Sequence, residues 1–438
     1  MKRIVSLSTA TLVATFASTG AYALSNRIFV SGTGSDSNPC SLSALCRSFA
    51  GALAQTSPGG EIAVLDTADY GVVTITQRSA SSTRRGSRRG SRSPRGTASR
   101  STPARPMSST CAGSPSSAPA ATTGSSSLPA AGIAYEETPR PEGLPDDMQP
   151  LPGVGLRFLS ISAIDGFRIA AALWQPLAKP ATTLVVQVHG SGGNFASLPL
   201  RATARALSAR GYAALSISTR QHDERVNTDN FFEVRRDIEA AVATAKALGY
   251  GSLVLQGHSL GTAQVAFYAA TDWDPAIRGV ILTGAIAKLP WKSRDILIQD
   301  EDAYRALAQA ARDAVRAGRP EATLPMPMGW IGGRQAPVTA RHFLTYRDEA
   351  ASAADTTFWI ARIPRPILLV RDAADGVVLP FEPYMLLSAA RAEGSLVPEI
   401  RYVLLPNPRP PSLEGHIFAD NTGPLAEAIT SWLAERGL

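Results

Sequence analysis

An α/β fold is predicted for the longer part of this 438-residue chain: an eight-stranded, mostly parallel sheet with helices on its faces and a helical cap insertion. Three observations carry that expectation. From about residue 133 onward, apolar strand-length runs alternate with amphipathic helical stretches, and parallel strands joined through helices need right-handed crossovers. The first two runs are separated by Asp165-Gly166, a tight-turn pair, so the sheet opens antiparallel. Finally, SLVLQGHSLGTAQVA (residues 252 to 266) passes from a short buried strand into a helix through Gly257, His258, Ser259, Leu260 and Gly261. A serine on so sharp a turn presents its hydroxyl above the sheet edge, and the flanking glycines remove side chains that would collide there. Ser259 is therefore the candidate nucleophile.

In chain order, Lys2 and Arg3 precede an apolar run to about Gly20 and a small-residue site at Ala21-Tyr22-Ala23, the three parts of a secretory signal peptide over residues 1–23. No other run approaches the ~18 apolar residues of a membrane span. Residues 24–77 form a small β-rich segment. In it, FVSGTGSDSNPC, GGEIAVLD and VTIT resemble the opening of secreted right-handed parallel β-helix proteins, with about one coil present. Cys40 and Cys46 suit a disulfide in an oxidising compartment, Cys111 is left odd, and no metal-ligand spacing appears.

Residues 78–132 hold nine arginines and no lysine, aspartate or glutamate, so the formal +7 belongs to this segment and the remainder sits at −2. Its Arg/Ser/Pro/Ala composition cannot form a packed core and reads as a disordered linker. No aromatic residues interleave with the arginines, which disfavours a nucleic-acid partner. Abrupt collapse into such sequence is also what out-of-frame translation of GC-rich DNA produces. On that reading the C-terminal domain is not exported with this leader. Localisation follows the same fork: secreted or periplasmic with a genuine leader, cytoplasmic otherwise.

Within residues 133–438 strands are expected at 156–162, 167–174, 183–189, 213–219, 252–256, 279–284, 366–371 and 400–405, with helices near 198–210, 231–247, 260–271, 381–392 and 424–435. Phe231, Val234, Ile238 and Val242 supply the apolar face of the second helix. Between the sixth and seventh strands lie about eighty residues, far more than a crossover needs. They include QDEDAYRALAQAARDAVRAG, whose first-turn acids and late arginines match a helix dipole.

Four separated pieces, LVVQVHGSGGN, GHSLG, RDAADGVV and LEGHIF, follow the third, fifth, seventh and eighth strands. In that order they resemble the α/β-hydrolase family, from about residue 150 to the C-terminus. The resemblance implies a serine hydrolase with Ser259 as nucleophile, an aspartate after the seventh strand and a histidine after the eighth. Of five histidines, His416 alone occupies the family's base position. His258 is the variable residue of the elbow, His189 shapes the oxyanion loop, His222 follows the fourth strand and His342 lies in the insertion. For the acid, family alignment favours Asp375, with Asp372 as the alternative because it stands where the family has glycine. The oxyanion donors implied are the backbone N–H groups of Ser191 and Leu260. The insertion, about 287–357, is where the family carries its cap. Trp291, Met326, Met328, Trp330, Ile331 and Phe343 are candidate pocket lining.

The substrate expected is a small-molecule carboxylic ester, with an amide or thioester second, and no cofactor or metal is implied. Two other functions fit part of the sequence: a noncatalytic binding protein on the same scaffold, and an exported surface protein acting through its N-terminal segment.

Overall fold

A computed structural model describes residues 25–41, 44–64, 70–71, 135–272, 274–325, 328–329 and 335–438. The expected signal peptide, the linker and Cys111 lie outside them. The chain divides into two units at Pro119/Ala120.

In the first unit, β1 (Ser25–Val30) and β2 (Thr56–Val64) pair in parallel across α1 (Phe49–Gln55). Ser48 caps α1 by accepting from the Gly51 N–H. Ile28, Val30, Ala52, Ile62 and Tyr70 pack around Cys40 and Cys46, which are disulfide-bonded. The described residues thus form a two-stranded sheet closed by a helix, not a stack of β-helix coils.

The second unit holds one nine-stranded sheet in the order β13-β12-β9-β8-β6-β7-β5-β4-β3. Its strands are β3 (Tyr135–Thr138), β4 (Val154–Ser162), β5 (Arg168–Pro176), β6 (Thr183–Val188), β7 (Ala213–Ile217), β8 (Ser252–His258), β9 (Ile277–Thr283), β12 (Ile367–Asp372) and β13 (Ile400–Leu405), with β10 (Met328–Gly329) and β11 (Gln335–Ala336) forming a separate ribbon. Every expected strand is present, and the short edge strand β3 is an addition. Its four residues, Tyr-Glu-Glu-Thr, paired on one side only, carry too little apolar pattern to be read beforehand. Six strands from β13 to β7 run parallel, and β5, β4 and β3 add antiparallel. β6 and β8 are buried along nearly their whole length, as strands covered on both faces must be.

The helices are α2 (Leu198–Ala209), α3 (Val234–Ala247), α4 (Leu260–Thr271), α5 (Leu289–Lys292), α6 (Glu301–Arg316), α7 (Ala340–His342), α8 (Thr356–Ile360), α9 (Glu382–Ala390), α10 (Leu413–His416) and α11 (Thr422–Ala434). Phe231 belongs to a 3₁₀ turn just before α3, and Val234, Ile238 and Val242 face the core as expected. Residues between β9 and β12 form the insertion. There α6 is capped by Asp300, which accepts from the Ala303 N–H at 2.9 Å, and buries Tyr304, Leu307, Ala308 and Ala311 against Val338, Ala340 and Phe343. The insertion therefore has an apolar core of its own.

The topology matters for the site. The chain leaves β6 for β7 on one side and returns as β8 on the other, so the strand order reverses between β6 and β8, the place where open α/β sheets bind ligands at their carboxyl ends. A large core that includes Trp174, Val185, Val254, Ile281, Val370 and Trp432 packs on this sheet. Trp432 of α11 is fully buried and sits so close to Gly279 that a Cβ there would lie 2.6 Å from its ring. Trp432→Ala should cost about 3–5 kcal/mol, read as a lower urea midpoint with an unchanged slope.

Candidate active site

The end of β8 and the start of α4 form a tight elbow. Ser259, between them, has φ 53° and ψ −124°, a strained conformation for a residue with a side chain. Three hydrogen bonds hold it: its N–H donates to Thr283 O at 3.0 Å, and its carbonyl accepts from the Thr262 N–H at 2.9 Å and hydroxyl at 2.5 Å. The flanking glycines are sterically required. A Cβ on Gly257 would collide with Gly261, and one on Gly261 would lie 2.5 Å from the carbonyl oxygens of Val188 and His189. β6 and the elbow thus approach at backbone distance.

That approach brings the loop after β6 to Ser259. A Cβ on Gly190 would stand 2.8 Å from Ser259 Cβ, so the chain passing from Gly190 to Ser191 runs beside the serine. His189 sets the loop's course. Its Nε2 accepts from the Thr219 N–H at 3.0 Å, which puts the proton on Nδ1, 2.7 Å from Gly190 O. Burial lowers its pKa to about 4, so it stays neutral and acts as a brace. Leu260 opens α4, where first-turn N–H groups have no acceptor within the helix.

His416 ends α10 and is 2 % exposed. Its Nδ1 lies 3.0 Å from both carboxylate oxygens of Asp375. Asp375 Oδ1 also accepts from the N–H groups of Val377 (2.8 Å) and Val378 (2.9 Å). Burial pushes the Asp375 carboxyl pKa up, but the hydrogen bond and charge of His416 with these two backbone donors outweigh it and hold the group below its ordinary value. His416 Nε2 is buried and makes no hydrogen bond among the described residues.

Asp372 faces elsewhere. Its Oδ1 accepts from the Ala374 N–H at 2.7 Å, capping its own turn, and its Oδ2 from Asn421 at 2.8 Å and Asn407 at 3.3 Å. His258 packs beside His416, ring centroids 5.0 Å apart. Burial, reinforced by the charge of His416, lowers its pKa to about 3, so no second cation competes there. His222 lies half-buried against Asp223, and His342 is buried in the insertion against Asp229. Of the expected pocket lining, Phe343 lies in the insertion's own core and Trp291 packs edge-on to Phe381, whereas Met326, Trp330 and Ile331, and the side chain of Met328, lie outside what is described.

Some contributors had no sequence signal. Lys292 Nζ donates to Val377 O at 2.7 Å and to Glu382 Oε1 at 2.5 Å, and Glu382 accepts from the N–H groups of Leu379 and Ala287, both at 2.9 Å. This buried pair pins the segment whose N–H groups serve Asp375. Arg371 braces it from the other side, donating to Asp375 O and Val378 O, both at 3.0 Å. Among the described residues no three His, Cys, Asp or Glu side chains cluster as metal ligands would, and no helix is long and apolar enough to cross a membrane.

Fold and elbow together define the class: residues of the second unit adopt the alpha/beta hydrolase fold, and the family profile of that description matches residues 183–328. A search of curated protein sequences found no match. Similar solved structures include the esterase domain of a Rhodothermus marinus protein (21 % identity, 64 % of this chain and 98 % of that one, TM-score 0.44). Others are Est1E from Butyrivibrio proteoclasticus (18 %, 64 % and 98 %, 0.43) and the Pyrococcus furiosus esterase Pf2001 (12 %, 68 % and 97 %, 0.45). They lend the β-helix resemblance of residues 27–77 no support.

The lowered Asp375 pKa has a pH signature. The folded carboxyl holds its proton less readily than the unfolded chain, whose value is about 3.9, so its stabilisation is fully present above that pH and is lost as pH falls through the folded value. The stability gap between the native chain and Asp375→Asn, from urea unfolding, should be widest above about pH 5 and narrow below about pH 4. A gap constant with pH would mean the carboxylate gains nothing from its setting.

Proposed function

We propose that the second unit is a serine hydrolase that cleaves a carboxylic ester through Ser259, His416 and Asp375. The observation that carries this reading is the buried His416–Asp375 pair, 3.0 Å apart, with His416 Nε2 left without a partner. The strained Ser259 elbow and the Gly190–Ser191 approach to it support the reading further. In the first step His416 Nε2 takes the hydroxyl proton as Ser259 Oγ bonds to the carbonyl carbon. The C=O electron pair moves onto oxygen, where the N–H groups of Leu260 and Ser191 stabilise it. Collapse of this adduct breaks the ester C–O bond, and the proton on Nε2 passes to the leaving alkoxide. Water then repeats the sequence on the acyl-enzyme, with His416 taking its proton, and Ser259 is regenerated with release of the acid. Asp375 keeps the Nδ1–H oriented and stabilises the imidazolium that forms twice per turnover. A thioester or amide follows the same course with a different leaving group.

A fluorophosphonate probe should label Ser259, and Ser259→Ala should abolish both labelling and release of nitrophenol from p-nitrophenyl acetate. An unlabelled, inactive native chain would favour a noncatalytic scaffold. Asp375→Asn should lower kcat by about 10⁴, because an amide favours the wrong imidazole tautomer. Asp372→Asn should leave turnover largely intact while lowering stability by about 1–3 kcal/mol. The reverse pattern would move the acid role to Asp372.

A further inference from the structure

Arg347 ends the π-helical turn Phe343–Arg347 of the insertion and is 4 % exposed, yet no carboxylate answers it. Its Nη1 donates to Ser293 Oγ at 3.2 Å and its Nη2 to Asn227 Oδ1 at 2.9 Å, both uncharged, and its Nε has no partner among the described residues. Nearby acids are committed elsewhere. Asp348 pairs with Arg312 at 2.9 Å, and Asp229 receives the Tyr346 hydroxyl at 2.6 Å and His342 at 3.2 Å. Asp237 pairs with Arg220 at 2.7 Å and Glu382 with Lys292 at 2.5 Å. The stretch 326–334 contains no Asp or Glu at all.

Burial lowers the Arg347 pKa only to about 10, so the group is a cation at neutral pH. A buried charge without an opposite charge beside it is costly, which makes Arg347 a candidate for binding an anion. Arg371, as deeply buried, differs in directing its N–H groups onto the backbone carbonyls of Asp375 and Val378.

Asn227, whose Oδ1 accepts from Arg347, has its Nδ2 buried without a partner among the described residues; His342 Nε2 and Gln264 Oε1, likewise unpartnered, belong to residues that contact the preceding Tyr346. The segments that carry them are joined along the chain to those that form the candidate site. Gln264 is on α4, which Ser259 opens. Asn227 is on the loop that begins at Thr219, bonded to His189, and Ser293 follows α5 on the segment that leaves Gly284, which abuts the His416 ring.

We propose that Arg347 and Asn227 form an anion subsite for a carboxylate carried by the substrate, so that the favoured ester bears a free carboxylate away from the scissile bond. The substrate class rests on the hydrolase reading above. Arg347 Nε–H and Asn227 Nδ2, both buried and without a partner among the described residues, are donors left for the two oxygens of a carboxylate. One negative charge neutralises the one buried cation, which a phosphate dianion would overbalance.

The test compares p-nitrophenyl half-esters of dicarboxylic acids, adipate to suberate, each against the same compound with its acid capped as a methyl ester. In the native chain at least one half-ester should have the higher kcat/KM of its pair. The charged-to-capped ratio should fall about tenfold or more in Arg347→Met and in Asn227→Asp. Asn227→Asp keeps the guanidinium and its packing but places a carboxylate on it, and aspartate tolerates the backbone there (φ 63°). Capped esters preferred at every length, with ratios unmoved in both variants, would overturn the subsite. Release of nitrophenol from neither kind of ester would count against the hydrolase reading alone. Adipate itself then decides: it should raise the melting temperature of the native chain but not of Arg347→Met, and no shift in either overturns the subsite.

Discussion

The candidate site depends on one backbone contact, between the loop after β12 and the turn after β13. Ser412 N–H donates to Ala374 O and Gly376 N–H donates to Ser412 O, both at 2.9 Å, so the two segments pair as a short parallel bridge. Glycine makes it possible: a Cβ on Gly376 would lie 2.6 Å from Ser412 N, and one on Gly415 would run into Ala374 O. Because β12 and β13 are already paired along their length, this bridge continues the sheet into the loops. His416 meets Asp375 at 3.0 Å because the backbone delivers both side chains in register, with little left to side-chain freedom.

Charges are arranged around that contact in two ways. Those that position the site are fully answered: Lys292 with Glu382, Arg371 with backbone carbonyls, Asp375 with two N–H groups and His416. Rigid donors and acceptors of this kind are what a positioned imidazole requires, since a misplaced one loses its proton-transfer geometry. Arg347, within the insertion, is met among the described residues by an amide and a hydroxyl and by no acid. The contrast separates groups that hold the candidate site in place from a cation that no acid among the described residues meets.

Much of this was legible in the residues. Short, largely apolar runs such as Thr183–Val188, alternating with helical stretches, read as buried parallel strands, and the Gly257-His258-Ser259-Leu260-Gly261 turn between strand and helix points to a tight elbow. His416 was reachable through the family resemblance, which places a histidine after the last strand. The same resemblance favoured Asp375 and left Asp372 open; Asp372 ends β12 and turns to Asn421, whereas the pairing of the following loop with Ser412 brings Asp375 to the imidazole. Lys292 and Glu382, ninety positions apart, carry no pattern that relates them.

What the sequence determined alone was everything governed by short-range rules: the order and kind of elements, the antiparallel opening at Asp165-Gly166, the strained serine elbow and the capped helix of the insertion. Those follow from backbone sterics and hydrophobic period, which act within a few residues. Only the tertiary structure decided which partner each charged group meets: Asp375 meets His416, Asp372 meets Asn421, and Arg347 meets no acid among the described residues. Electrostatic partnership depends on distances of a few ångströms between segments far apart in the chain, and no local pattern encodes those distances.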